Sequence, residues 1–145
     1  MGPAFYPAAI MRTSSPAGYS GRPLVAKLGF KPGWSVRAIN PPPHYADLMA
    51  EAVDIRFDPD ARDADAAHLF LHGPEPLAEV AATEIAHLRP GGMLWLSWAK
   101  KSSPRHAGIT EDLLRAEVLP LGWVDVKVCA VDADWSGLKF LRRRG

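Results

Sequence analysis

The sequence LRPGGMLWLSWAKK, residues 88–101, decides the fold. It combines a Pro-Gly-Gly turn at residues 90–92, an apolar run at residues 93–98, and two lysines directly after that run. The run is too short for a helix and is bounded by turn-forming and charged residues, which is typical of a buried strand in a parallel sheet. We therefore predict a central strand at residues 93–98, preceded by a helix that ends near Arg89.

Apolar periodicity predicts further strands and helices on both sides of the central strand. Strands are expected at residues 34–40, 53–57, 67–72, 123–132 and 138–143, and helices at residues 24–28, 45–51, 76–88 and 110–119. Alternation of strands and helices predicts a parallel sheet with right-handed crossovers. A short connection, residues 133–137, joins the last two strands and predicts an antiparallel hairpin.

These elements predict the fold class and the domain organisation. The 145 residues are enough for one domain with a full core. We expect a single three-layer Rossmann-like α/β domain over residues 19–145, with a mostly parallel sheet and a C-terminal antiparallel β-hairpin. Residues 1–18 are rich in Pro, Ala, Ser and Gly and show no periodicity, which predicts a flexible leader.

The composition of the chain indicates which partners it is suited to bind and in which compartment it is expected. A net charge of +1 disfavours a protein built mainly to hold nucleic acid or an anionic membrane. No apolar run approaches the roughly 20 residues that span a bilayer, so no membrane association is expected. The single cysteine, Cys129, allows no internal disulfide and fits a reducing compartment. We therefore predict a cytoplasmic protein.

Three groups of motifs carry a resemblance to a known family. They are SGRPL at residues 20–24 with KLG at 27–29, WAKKS at 98–102, and DVKVCAVD at 125–132 with WSGLK at 135–139. Together they resemble a small bacterial family of unknown function. The resemblance implies a compact, degenerate Rossmann-like domain. The order of the elements is itself that of a reduced class I methyltransferase-like sheet, with one of the usual strands shortened or missing after Phe57. The resemblance implies no activity.

The turn after the first predicted strand bears on whether the domain binds S-adenosylmethionine. In this class of fold that turn is glycine-rich, because glycine lets the backbone approach the ligand. Here the turn is NPPPHY, residues 40–45, which has no glycine and three prolines without a backbone N–H. Asp58 ends the next strand, where a ribose-binding acid would lie. We expect no cofactor, with S-adenosylmethionine as the less favoured alternative.

Catalytic and metal-binding patterns do not emerge from the sequence. His68 and His72 would share a metal ion on a helix, but on a strand they lie about 13 Å apart. Ser97 begins an S-x-x-K sequence, which activates serine only on a helix, whereas Ser97 falls on the central strand. No catalytic residue and no metal site are therefore predicted.

Open α/β sheets bind ligands at the rim formed by the carboxyl ends of their strands. The candidate ligand-binding residues on or near this rim are Asn40, His44, Tyr45, Asp58, Lys100, Lys101, Ser102 and Trp135. The two lysines suit a phosphate or carboxylate group, and the tryptophan suits a planar ligand. Each also has a structural explanation, since the lysines could be a solvated strand end and the tryptophan could pack the hairpin.

The leading hypothesis from the sequence is a non-catalytic domain that binds a small anionic ligand or a protein partner at this rim. A methyltransferase that uses S-adenosylmethionine through an atypical cofactor turn is the alternative. Nucleic-acid binding through the lysine pair and the C-terminal arginines is a third hypothesis, which the net charge of +1 makes the least favoured.

Overall fold

The computed structural model of the chain describes residues 22–144. The predicted leader, residues 1–18, and the predicted domain start at residue 19 lie outside the described residues. The elements are α1 (Leu24–Leu28), β1 (Ser35–Ile39), α2 (Tyr45–Leu48), β2 (Arg56–Phe57), β3 (Ala64–Leu71), α3 (Leu77–Ile85), β4 (Leu88–Ala99), α4 (Glu111–Val118), β5 (Trp123–Ala130) and β6 (Trp135–Arg142). A 3-10 turn, Leu119–Leu121, follows α4.

The strands form one six-stranded sheet in the order β2-β1-β3-β4-β6-β5. The pairs β1–β2, β1–β3 and β3–β4 are parallel, whereas β6 pairs antiparallel with both β4 and β5. This arrangement confirms the predicted fold class. Because β2 and β3 lie on opposite sides of β1, the strand order reverses between β1 and β3, and this position is the topological switch point of the sheet.

The central strand β4 begins earlier than predicted. Its pairing with β3 jumps from Leu88 to Met93, so residues 89–92 form a bulge within the strand instead of a separate turn. A Cβ on Gly92 would lie 3.0 Å from the Arg89 carbonyl oxygen, so the bulge favours glycine at this position. From Gly92 to Ala99 the strand is buried on both faces, as predicted for residues 93–98.

Alternate residues of β4 serve two cores. Leu94 and Leu96 join the core on the side of α3 and α4. Met93 and Trp95 join the core on the side of α1 and α2. The sheet is therefore the middle one of three layers, because side chains of successive strand residues point to opposite faces.

The strand predicted at residues 53–57 is wrong over its first three residues. Val53 is 67% exposed, and Asp54 has φ +56°, a left-handed conformation that interrupts extended backbone. Only Arg56–Phe57 pairs with β1. The neighbouring helix α2 is likewise limited to one turn, Tyr45–Leu48.

The hairpin connection is also shifted from its predicted position. It comprises residues 131–134, and β6 already begins at Trp135. One carboxylate oxygen of Asp132 accepts hydrogen bonds from the backbone N–H groups of Asp134 and Trp135, both at 2.8 Å, which fixes a tight turn there. Gly137 lies inside β6, where its backbone packs against the Trp95 ring.

None of the helices within residues 22–144 is long and apolar enough to cross a membrane. The cytoplasmic location stays a prediction.

Candidate functional site

An open depression lies at the switch point, between the carboxyl ends of β1 and β3. Its volume is about 620 Å³, which is within the usual range for small-molecule sites. The loop after β1 contributes Asn40 and Pro41, and the loop after β3 contributes residues 72–75, His-Gly-Pro-Glu. The sheet therefore carries a concave surface where its topology predicts a ligand site.

One hydrogen bond from His72 joins the two loops of the depression, and a second lies within its own loop. Its Nε2 lies 2.7 Å from the carbonyl oxygen of Asn40. Because a carbonyl oxygen only accepts, His72 donates from Nε2, and in the neutral ring Nδ1 is the acceptor. The backbone N–H of His72 donates to the Glu75 carboxylate at 2.9 Å.

Asn40 gives the turn after β1 an unusual backbone conformation. Its φ is +53°, in the left-handed region that favours glycine. Asparagine is one of the few other residues that adopt this region readily. The turn therefore has the left-handed backbone that a glycine would supply, although the three prolines after Asn40 still lack an N–H.

Asp58 lies at the same edge of the sheet, directly after β2. Its backbone N–H donates to the Val36 carbonyl at 2.9 Å, which fixes the residue beside β1. The side chain is half-buried, and Oδ1 accepts from the N–H of Asp60 at 2.8 Å. Within residues 22–144, Oδ2 accepts no hydrogen bond, so one carboxylate oxygen is left for a ligand hydroxyl.

The other half of the rim is organised around Asp132. Its side chain lies 2.7 Å from Nε2 of His44, in the loop after β1. Its carbonyl accepts from the Lys100 ammonium at 2.8 Å, directly after β4. Lys100 is therefore engaged by the hairpin, whereas Lys101 and Ser102 are exposed.

Tyr45 and Trp135 lie beneath the rim. Tyr45 is 7% exposed and Trp135 1%, so neither presents a ring face to the depression. The Trp135 ring packs edge-on against Phe70, with 5.2 Å between centroids, and 5.0 Å from the His72 ring. The structure thus separates these two predicted site residues from the exposed ones.

A buried polar chain lies under the switch point. Nδ1 of His68 is 2.9 Å from the Tyr45 hydroxyl, and Nε2 is 3.0 Å from the Ser97 hydroxyl. Burial lowers the pKa of His68 to about 3 and raises the pKa of Tyr45, so both groups are neutral at pH 7. His68 and Ser97 are fully buried, which supports a structural role for this serine.

Three residues that organise the site are absent from the predicted candidates. They are His72, Glu75 and Asp132. His72 fell inside the predicted strand at residues 67–72, whereas β3 ends at Leu71. Its position directly after the last apolar residue of a strand is the feature that could have selected it as a candidate. Asp132 was likewise assigned to a strand instead of to the hairpin turn.

Two solved structures show what this fold is similar to. One is a 1,6-didemethyltoxoflavin-N1-methyltransferase from Burkholderia thailandensis, solved with 1,6-didemethyltoxoflavin and S-adenosylhomocysteine. It is 18% identical, and the match covers 83% of this chain and 75% of that one with a TM-score of 0.50. The other is a SAM-dependent methyltransferase from Aquifex aeolicus, which is 12% identical, with 82% and 87% covered and a TM-score of 0.53.

These likenesses show that the chain has a class I methyltransferase-like Rossmann fold. They also contradict the expectation of no cofactor, because one matching protein was solved with S-adenosylhomocysteine and the other is SAM-dependent. No protein-family model matches the chain, and no curated protein does. The resemblance to a bacterial family of unknown function therefore stays a prediction.

Proposed function

We propose that this chain is an S-adenosylmethionine-dependent methyltransferase domain whose cofactor site is the switch-point depression. The observation that carries the proposal is the depression of about 620 Å³ at the carboxyl ends of β1 and β3, where the strand order reverses. An acid, Asp58, follows the neighbouring strand β2. The likeness to two methyltransferase structures supports it through the fold.

The residues around the depression fit the cofactor in three respects. Asn40 supplies the left-handed turn that brings backbone close to a ligand. Asp58 does not line the depression, but it lies at the same edge of the sheet and has a carboxylate oxygen available to accept from a ribose hydroxyl. Pro41 and Pro74 give the depression apolar walls. The prolines after Asn40 offer fewer N–H donors than a glycine-rich turn, so side chains carry more of the binding.

His72 is the residue of this depression best suited to proton transfer. When bound, S-adenosylmethionine supplies an electrophilic methyl group. A nitrogen or oxygen nucleophile that accepts it loses a proton, and His72 can take that proton at Nδ1, since Nε2 already donates to Asn40. We therefore assign His72 the role of general base.

The proposal is tested by isothermal titration of S-adenosylmethionine and S-adenosylhomocysteine into the wild-type chain and two variants. Asp58→Ala removes the carboxylate assigned to the ribose. Asp60→Ala is the matched control, because it removes an exposed carboxylate two residues away while leaving the N–H that bonds Asp58. We expect saturable binding to the wild type and to Asp60→Ala. Asp58→Ala should bind about tenfold or more weakly, the loss of one hydrogen bond to a charged group.

Wild-type protein that binds neither compound at millimolar concentration would overturn the proposal. If Asp58→Ala and Asp60→Ala weakened cofactor binding equally, the cofactor site would stand but Asp58 would not be its ribose ligand.

A further inference from the structure

Three lysines converge on the face of the sheet that α1 covers, namely Lys31, Lys127 and Lys139. Lys127 on β5 and Lys139 on β6 are direct cross-strand partners in the antiparallel pair. The Lys127 ammonium donates to the carbonyl of Lys27, in the last turn of α1, at 2.8 Å. The Lys139 ammonium lies 3.9 Å from where a Cβ on Gly29 would stand, just past α1. Lys31 follows two residues later and acts on Lys139 electrostatically. We call this group the α1 lysine cluster.

The α1 lysine cluster lacks ion-pair partners among the residues that the structure describes. Within residues 22–144, no ion pair joins Lys31, Lys127 or Lys139 to a carboxylate. The Lys127 ammonium has only a backbone carbonyl, that of Lys27, as its hydrogen-bond acceptor among the described residues. Backbone carbonyls carry only partial negative charge, so contacts of this kind do not neutralise the ammonium groups.

Two features of the arrangement oppose stability. Like charges directly opposite each other on an antiparallel ladder are destabilising. Lys139 is also half-buried, and burial, followed by the charges of Lys127 and Lys31, lowers its pKa. A compact anion among the ammonium groups would remove the repulsion and add charge-assisted hydrogen bonds.

We propose that the α1 lysine cluster is a binding site for a phosphate or pyrophosphate group. The lysines come from the loop after α1 and from two adjacent strands, an arrangement that suits a small, multiply charged anion. An extended polyanion fits less well, because the net charge of the whole chain is only +1. The site does not depend on the proposed methyl-transfer function, and it is separate from the rim, where Lys100 is engaged by Asp132.

The direct test is isothermal titration of inorganic pyrophosphate, free of divalent cations and at constant ionic strength, into the full chain. Lys139→Met and Lys127→Met each remove one ammonium of the cluster. Arg56→Met is the matched control, since it removes an exposed charge on β2, at the opposite edge of the sheet. We expect the wild type and Arg56→Met to bind equally, and both lysine variants to bind about tenfold or more weakly.

Urea denaturation gives an independent readout on the same proteins. In phosphate-free buffer Lys139→Met should be at least as stable as the wild type, because the substitution removes a half-buried charge and a like-charge neighbour. At the same pyrophosphate concentration, the wild type should be stabilised more than Lys139→Met, by up to about 1.4 kcal/mol for a tenfold difference in affinity.

Three outcomes would overturn the proposal. The first is the absence of saturable pyrophosphate binding by the wild type. The second is an equal loss of pyrophosphate affinity in Arg56→Met and Lys139→Met. The third is an affinity for a mixed single-stranded oligonucleotide that exceeds the affinity for pyrophosphate and falls steeply with salt. The last outcome would assign the lysines to nucleic acid.

Discussion

Acid should destabilise this protein through His68 well before its carboxylates titrate. The imidazole is fully buried among aromatic rings, including Phe70 at 4.4 Å and Phe30 at 6.0 Å between centroids. Burial lowers its pKa from 6.5 to about 3. Below pH 6.5 the unfolded chain therefore binds a proton at this histidine that the folded chain does not bind.

The sign and size of the effect follow from proton linkage. A folded-state pKa below the unfolded value means that the stabilisation is complete above pH 6.5 and is lost as the pH falls toward 3. At about 1.4 kcal/mol for each pH unit, the loss between pH 7 and pH 5 is roughly 2 kcal/mol. Ordinary carboxyl pKa values near 4 lie below this window, so histidines dominate it.

The assay is urea denaturation at pH 7, 6 and 5, followed by tryptophan fluorescence. His68→Gln keeps hydrogen-bonding groups for Tyr45 and Ser97 but cannot be charged, so its loss of stability over this range should be smaller than that of the wild type by roughly 2 kcal/mol. His87→Gln, a control that removes a less buried histidine, should retain the wild-type pH dependence. Identical pH dependence in the wild type and His68→Gln would refute the reasoning.

Three further substitutions test the packing, each by urea denaturation. Arg37→Met leaves Glu84 buried without its 2.8 Å partner and should lower the free energy of unfolding by about 3–5 kcal/mol. Adding Glu84→Leu should restore much of that loss, and no recovery would contradict an unpaired charge as its cause. Gly137→Ala places a Cβ 3.1 Å from the Trp95 ring and should cost about 1–3 kcal/mol, so an unchanged midpoint would show that the ring yields freely. Thr110→Ala removes the acceptor for the N–H of Leu113 and should cost about 1 kcal/mol, whereas an equal loss in Thr110→Ser would rule out capping.

The order of the elements could be predicted from the sequence because apolar run length and turn residues are local properties. The element boundaries differ from the predicted ones where the conformation of a single residue depends on its neighbours in the fold. Asp54 takes a left-handed conformation that ends the predicted strand, yet the VDIRF pattern around it alternates like an edge strand. Gly137 resembles a turn residue, but it lies in β6, where a larger residue would press against the Trp95 ring.

The candidate site could be predicted only in part, because its contacts join distant segments. His44 and Tyr45 are neighbours in sequence, but His44 bonds Asp132 at the surface while Tyr45 bonds His68 in the core. The turn after β1 was predicted to be unsuited to a cofactor from its lack of glycine, whereas Asn40 supplies the left-handed backbone. A backbone dihedral of this kind is set by the fold and is not encoded by residue type alone.

The most direct test of the proposed function is a crystal structure of the chain with S-adenosylhomocysteine. The account predicts that the ligand lies in the switch-point depression between β1 and β3, with its ribose hydroxyls within hydrogen-bonding distance of Asp58 and its remaining length against the turn at Asn40. A ligand bound elsewhere on the domain, or a depression that stays empty at saturating concentration, would contradict the central claim.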